Sequence, residues 1–267
     1  MLAAHWLYHH KSQISMHRFY LPPACCIDTE LTLEGREAHH ALHVLRLQRG
    51  DSISVLDGTG HEFFCTVKET ARHAMSLAVT GKKTTPAPPV AVTLFVGVPK
   101  GKIIEGIIQK AVELGAHRVV PLLTERVVMQ LDDEGAEGKR DKWQQVAIEA
   151  IKQCGAAWLP RIEGPVTLTE LLGPRLEPPT FDLSLTGSLQ AERRHPRAVL
   201  REFQQARGRS PQTVGLWIGP EGDFSADELQ AIAATGAAPI SLGKLVLRVE
   251  TAAIYCLAFL NYELQDD

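Results

Sequence analysis

The stretch "LWIGPEGDFSADEL", Leu216 to Leu229, runs an apolar segment into a corner of two glycines, a proline and an acid. Gly219 and Gly222 remove side chains from that corner and Pro220 stiffens it, so a ligand can approach the backbone closely. Ser225 and Glu228 form a capping box, which fixes where the next helix starts. Taken alone, such a corner is as readily a tight strand-to-helix turn as a binding loop. A second stretch, "SLGKLVLRVETAA", carries Gly243 among long apolar side chains and also runs into a helix. Glu250 and Thr251 favour the N-terminus of that helix. Two backbone-lined loops beside apolar side chains suit an adenine-containing ligand held by main-chain hydrogen bonds.

Other candidate chemistry is weaker. "VGVPKGK" is a poor phosphate-binding loop: Gly97 and Gly101 are one residue too close, and Ile103 stands where a magnesium-binding hydroxyl is needed. No GxGxxG follows an expected strand, which disfavours a dinucleotide enzyme. His39 and His43 have the i, i+4 spacing of metal ligands, but no HExxH glutamate or nearby cysteine completes a site, so no metal is expected. Trp143, Ala147, Ala150 and Ile151 read as the core face of a helix.

The elements that must position these loops fall into two compositional regions. "DSISVLDGTGHEFFCTVKE" alternates apolar and polar residues around Asp57-Gly58, a hairpin pattern within a small β-rich domain. "GREAHHALHVLRLQRGD" predicts a short helix with Ala38, Leu42 and Leu45 turned inward. Beyond "GKKTTPAPPV" the period changes. "VAVTLFVG", "HRVVPLL", "TVGLWIG" and "PISL" read as strands. "KIIEGIIQKAVELG", "KRDKWQQVAIEAIKQCG", a segment from Ser225 and a segment from about Thr251 read as helices. Such alternation means a mostly parallel sheet with helices on both faces. The expected division is an N-terminal extension, residues 1–15, a β-rich domain, 16–84, a linker, 85–89, and an α/β domain, 90–267. The functional chain is expected to start at Met16.

With 45% hydrophobic and 22% charged residues and a net charge of −3, the chain is no uniformly basic nucleic-acid coat, and any RNA role needs a local patch. Five cysteines without a CxxC pair fit a reduced, cytoplasmic protein. No apolar run reaches the roughly 20 residues of a membrane helix.

The two glycine-bearing motifs resemble the C-terminal motifs of the bacterial 16S ribosomal RNA uridine-N3 methyltransferases, the RsmE-type members of the SPOUT superfamily. "RFYLPP", "HVLRLQRGD", "PKGKIIEGIIQKAVELGA", "PLLTERVV" and "KQCGAAWLPRI" follow the same family in order, over about residues 17 to 264. The resemblance implies a PUA-like RNA-binding domain followed by a trefoil-knotted methyltransferase domain. It also implies S-adenosylmethionine as donor, ribosomal RNA or the small subunit as substrate, and a homodimer with the active site near its interface. Leu185, Gly219, Leu242 and Leu247 would surround adenosine and methionine, with Thr186, Ile218, Pro220, Glu221, Gly222, Gly243 and Thr251 completing the pocket.

Methylation of uridine N3 needs the imide proton removed and the anion held by a cation; Arg248 and Arg126 are the candidates for the cation, and Glu221 or Glu250 for the proton acceptor. Glu250 is equally explained by the helix dipole. RNA binding would fall to Arg18, Arg46 and Arg49 in the first domain, and to Lys100, Lys102 and Lys110 in the second. The chain departs from the family pattern at Val127, Lys152, Ala156, Asp223 and Leu245, and at Thr186-Gly187, where a His-Pro turn is usual. Asp223 replaces a glycine and Leu245 an arginine. These changes leave open a non-catalytic RNA-binding relative, or a methyltransferase of another RNA nucleotide.

Overall fold

The computed structural model describes residues 16–27, 29–126, 133–173, 179–189 and 192–264. The 1–15 extension and Val127 lie outside these. Asp57 makes the corner the alternation demands: its carboxylate accepts from the Thr59 amide (2.8 Å) and hydroxyl (2.8 Å) and from the His61 amide (3.1 Å). Gly58 takes a φ of +74°. Burial raises the Asp57 pKa, but the bonds from Thr59 and His61 outweigh it and hold the carboxyl below its ordinary value. The corner joins β3 (Ser52–Leu56) to an antiparallel β4 (His61–Thr70). With β1 (His17–Tyr20), β2 (Glu30–Glu34) and β5 (Ala74–Thr84) they form one sheet, ordered β1-β3-β4-β5-β2.

Helix α1 (Gly35–His39) continues into a π turn at His40–Val44. It buries Ala38 and Ala41 and packs Leu42 and Leu45 against a core of Phe19, Leu33, Ile53, Val55 and Met75. The inward spacing predicted from the sequence therefore holds, with Ala41 added.

The chain divides into two compact units, and the division is not a single cut. Ile151–Leu159 groups with the residues up to Ala87, whereas Pro88–Ala150 and the residues from Pro160 form the second unit. The reason is local. The Lys152 ammonium pairs with Glu37 at 2.7 Å, and both side chains are largely buried. The Trp158 indole N–H donates to the carbonyls of Thr85 (3.1 Å) and Pro86 (2.9 Å). Gly60 donates to the Ala157 carbonyl at 2.9 Å, and a Cβ there would stand 2.7 Å from the Trp158 ring. Thr85 and Pro86, read from the sequence as linker, are thus held by an aromatic side chain far along the chain.

The second unit is built on strands β6 (Ala91–Gly97), β7 (Arg118–Leu123), β8 (Arg161–Ile162), β9 (Val166–Thr167), β10 (Leu183–Gly187), β11 (Thr213–Ile218) and β12 (Ala238–Ile240). Every pair is parallel, in the order β12-β10-β11-β6-β7-β8, with β9 also beside β7. Both faces are covered, as continuous apolar strands require. Helices α2 (Ile103–Glu113) and α7 (Val249–Leu264) pack together, and α7 lies against β6 and β11. On the opposite face, Phe95, Val120, Leu122 and Trp217 meet Leu168 of α4 (Leu168–Leu172) and Ile232 of α6 (Ala226–Ala234). The Trp217 and Phe95 rings stack at 3.9 Å, and the Trp217 N–H donates to Ser184 on β10 at 3.0 Å. A buried indole keeps its hydrogen bond in this way. Helices α3 (Asp133–Cys154), up to Ala150, and α5 (Pro196–Arg207) complete the unit. α3 starts earlier than the sequence suggests, and α5 has no counterpart in the sequence reading.

Candidate cofactor pocket

The corner after β11 rests on a second glycine the sequence reading assigned to another motif. A Cβ on Gly97, at the end of β6, would stand 2.6 Å from both N and Cδ of Pro220. Only a bare backbone lets the corner sit there. The turn closes with the Asp223 amide donating to the Pro220 carbonyl at 2.9 Å. Asp223 itself has a φ of +63°. Its Oδ1 accepts from the Phe224 amide at 2.8 Å, and Phe224 is buried in the Phe95–Trp217 cluster. A Cβ on Gly219 would meet Asp223 Oδ1 at 2.9 Å and the Phe224 nitrogen at 3.2 Å.

The predicted capping box is present: the Glu228 amide donates to Ser225 Oγ (3.3 Å), and the Ser225 amide donates to Glu228 Oε2 (2.7 Å). Glu228 does more than cap. Its other oxygen accepts from the Glu125 amide at 2.9 Å, so one buried carboxylate ties the loop after β7 to the start of α6. From that loop, Arg126 donates to the Gly222 carbonyl.

A cavity opens beyond the carboxyl ends of β10, β11 and β12, where ligands of open α/β sheets sit. Of the expected pocket residues, Ile218, Gly219, Pro220, Glu221, Leu242, Gly243 and Leu247 line it. Gly187 lies opposite, where a Cβ would come within 3.2 Å of Ile218 Cδ1 and 3.4 Å of Leu242 Cδ1. Gly243 has a φ of +110°, a conformation that favours glycine. Leu185, Thr186, Gly222 and Thr251 are not part of the lining. Leu185 and Thr186 are buried within the sheet, Gly222 faces Arg126, and Thr251 is exposed on α7. Among the described residues, the buried hydroxyls of Thr124 and Thr186 have no hydrogen-bond partner.

Arg248 is exposed between two lining residues, Leu247 and Val249, but does not line the cavity. Glu221 does, and its Oε1 accepts from the Lys100 amide at 3.3 Å. The cavity adds residues not expected in the pocket from the sequence, among them Ser188, Leu189, Arg193, Asp223, Lys244 and Ala252. Arg193 had a signal. It stands just before His195-Pro196, a helix cap and first-turn proline, which marks it as lying on the approach to a helix.

The RNA candidates separate by environment. Arg18 pairs with Glu62 at 3.4 Å and packs beneath Gly155, and Lys110 pairs with Glu113 at 2.8 Å. Arg46, Arg49, Lys100 and Lys102 are exposed, and Arg46 holds a left-handed φ of +55°. The His39 and His43 rings stand 4.9 Å apart, and no metal-binding cluster occurs among the described residues. Of the departures from the family pattern, Lys152 has its ammonium buried against Glu37.

Known proteins agree with this layout. Residues 86–261 match the family model described as RNA methyltransferase domain, and residues 33–79 match RNA methyltransferase PUA domain. Ribosomal RNA small subunit methyltransferase E of Synechocystis is 32% identical over 94% of this chain and 78% of its own. The Bacillus subtilis protein of that name is 30% identical over 87% of this chain and 90% of its own. The crystal structure of the Neisseria gonorrhoeae protein of that name, bound to S-adenosylmethionine, superposes with a TM-score of 0.79 at 26% identity, covering 93% of this chain and 98% of that one. Matched through both units in chain order, this chain belongs to the family of RNA methyltransferases that includes ribosomal RNA small subunit methyltransferase E.

Proposed function

We propose that this chain methylates N3 of a uridine in small-subunit ribosomal RNA, with S-adenosylmethionine as donor. The observation that carries the reading is the fit of the cavity. Bare backbone at Gly187 and Gly219 lies beside apolar Ile218, Leu242 and Leu247, with charges of both signs at the rim. Such a lining suits an adenosine joined to a zwitterionic amino acid. The cofactor bound to the Neisseria relative supports the assignment. Leu185 and Thr186 back the pocket from within the sheet, Gly222 anchors its corner by accepting from Arg126, and Thr251 stands outside it on α7.

The donor supplies an electrophilic methyl group on a sulfonium. The neutral imide nitrogen of uridine is a poor nucleophile, so its proton leaves first. Glu221, at the cavity and steadied by the Lys100 amide, accepts that proton. Arg248 and Arg126 hold the uridine anion, which a permanently charged guanidinium suits. Glu250, in the first turn of α7, serves the helix dipole instead. Fixing both reactants contributes several kcal/mol to the barrier reduction.

RNA binding rests on exposed Arg46 and Arg49 in the first unit and on Lys100 and Lys102 in the second, while Arg18 and Lys110 act first through their ion pairs. A second copy of the chain covers Leu245 and Val246 at the cavity mouth, 78% and 76% exposed, together with Tyr255 and Tyr262 on the open side of α7. Among the described residues no helix is long and apolar enough to cross a membrane, and a ribosomal RNA substrate puts the work in the cytoplasm. Mass spectrometry of ribosomal RNA tests the reaction. Cells lacking the protein should lose one N3-methyluridine of the small subunit, and wild-type protein but not Arg248→Ala should restore it. An unchanged uridine, or loss at another base, would overturn the assignment.

A further inference from the structure

Asp223 stands apart from the other residues of the cavity on backbone grounds. Its φ is +63°, and among described residues other than glycine only Arg46 also has a positive φ. That conformation disfavours any side chain, Asn and Asp least, and a glycine would hold the corner without cost. A side chain retained under such strain calls for a role.

The placement of the carboxylate supplies one. Oδ1 accepts from the Phe224 amide at 2.8 Å and lies 2.9 Å from the point a Cβ on Gly219 would occupy. The group is therefore fixed against bare backbone at the cavity wall. Among the described residues Oδ2 has no hydrogen-bond partner and the carboxylate has no ion pair. The other charges of the cavity are sorted by strand. Arg193 and Lys244 follow β10 and β12, whereas Glu221 and Asp223 follow β11, on the side of β6. A ligand carrying both signs is aligned by this polarity.

We propose that Asp223 is a specificity-determining residue that reads the charge on the cofactor's sulfur. The inference rests on the assignment of the cavity to S-adenosylmethionine. During transfer, the uridine nitrogen, its proton already lost, forms a bond to the methyl carbon. The carbon–sulfur bond breaks, and its electron pair stays on sulfur. The sulfonium thereby becomes a neutral thioether, S-adenosylhomocysteine. A fixed carboxylate attracts the first and has no charge to attract on the second, so it favours donor binding and product release.

Asp223→Asn isolates that charge, because asparagine tolerates the same φ and keeps an oxygen for the Phe224 amide. Calorimetry on the wild type and this variant, titrated separately with S-adenosylmethionine and S-adenosylhomocysteine, is the test. The variant should bind the donor about tenfold more weakly and the product within about twofold of wild type. An equal loss for both ligands would mean that the carboxylate reads the amino-acid ammonium, and would overturn the proposal, as would no change in either. Asp223→Gly, which relieves the φ, gives the same comparison if the asparagine variant does not fold. If the folded wild type binds neither ligand, the cavity assignment fails and this inference with it.

Discussion

Gly97 and Gly219 differ in what stands opposite them, and so in what a side chain would cost. At Gly219 the first obstacle is the end of the Asp223 side chain, which can be displaced only by breaking its bond from the Phe224 amide, and the second is the Phe224 backbone at 3.2 Å. Gly219→Val should therefore fold and lose S-adenosylmethionine binding, since its methyls and the displaced carboxylate both fill the cavity. Calorimetry on the folded variant decides this; wild-type affinity would remove Gly219 from the pocket. At Gly97 the obstacle is the ring and nitrogen of Pro220 at 2.6 Å, which cannot turn aside, so a substitution there strikes the scaffold. The glycines of the β11 corner were legible in the sequence as a tight corner, and pointed to a pocket only because a second glycine-bearing loop, at Gly243, accompanied them. The burial of Lys152 was not. Its partner Glu37 lies 115 residues away, and nothing local marks a lysine as buried.

Between β11 and α6, one carboxylate serves as helix cap and loop anchor together. Ser225→Ala should cost the ordinary value of a cap, about 1 kcal/mol. Glu228→Ala should cost about 1–3 kcal/mol more, because it strips acceptors from the Ser225 and Glu125 amides. It should also slow methyl transfer by loosening the loop that carries Arg126. Thermal melts and single-turnover rates on both variants check the ranking; equal melts would mean the Glu125 bond contributes nothing. The capping box was readable from Ser-x-x-Glu, whereas the bond to Glu125 joins residues 103 apart and left no local trace. The same contrast explains which elements were foreseen. β6, β7 and β11 are apolar along most of their length, because strands covered on both faces need no alternation. Helix α5 carries Val199, Leu200 and Phe203 on one face, a short amphipathic stripe that was legible in the sequence but is not among the helices expected from it. β1 and β2 are short edge strands, each paired to a single neighbour, β3 and β5 respectively.

At the scale of the whole molecule, a net charge of −3 must be reconciled with an RNA substrate. Exposed Arg46, Arg49, Lys100 and Lys102 form local basic sites against an acidic average. Affinity for ribosomal RNA should fall steeply between low and physiological salt, and Arg46→Ala should make the log–log slope shallower by about one. Fluorescence anisotropy over a salt series measures both, and a flat wild-type dependence would remove phosphate contacts from the account. The strand order also bears on how the protein is made. β11 lies between β10 and β6, and Thr213 pairs with Ala91, so the centre of the sheet is closed by one of the last strands to be translated. A nascent chain can pair β6 with β7 early, but the other edge of β6, with Phe95 beside it, stays open until Trp217 arrives to stack upon it. An open apolar edge is a template for pairing with another chain, and late, non-local closure prolongs its exposure. The same arrangement that sets the pocket at the carboxyl end of β11 makes its biogenesis dependent on protection through most of the second unit's synthesis.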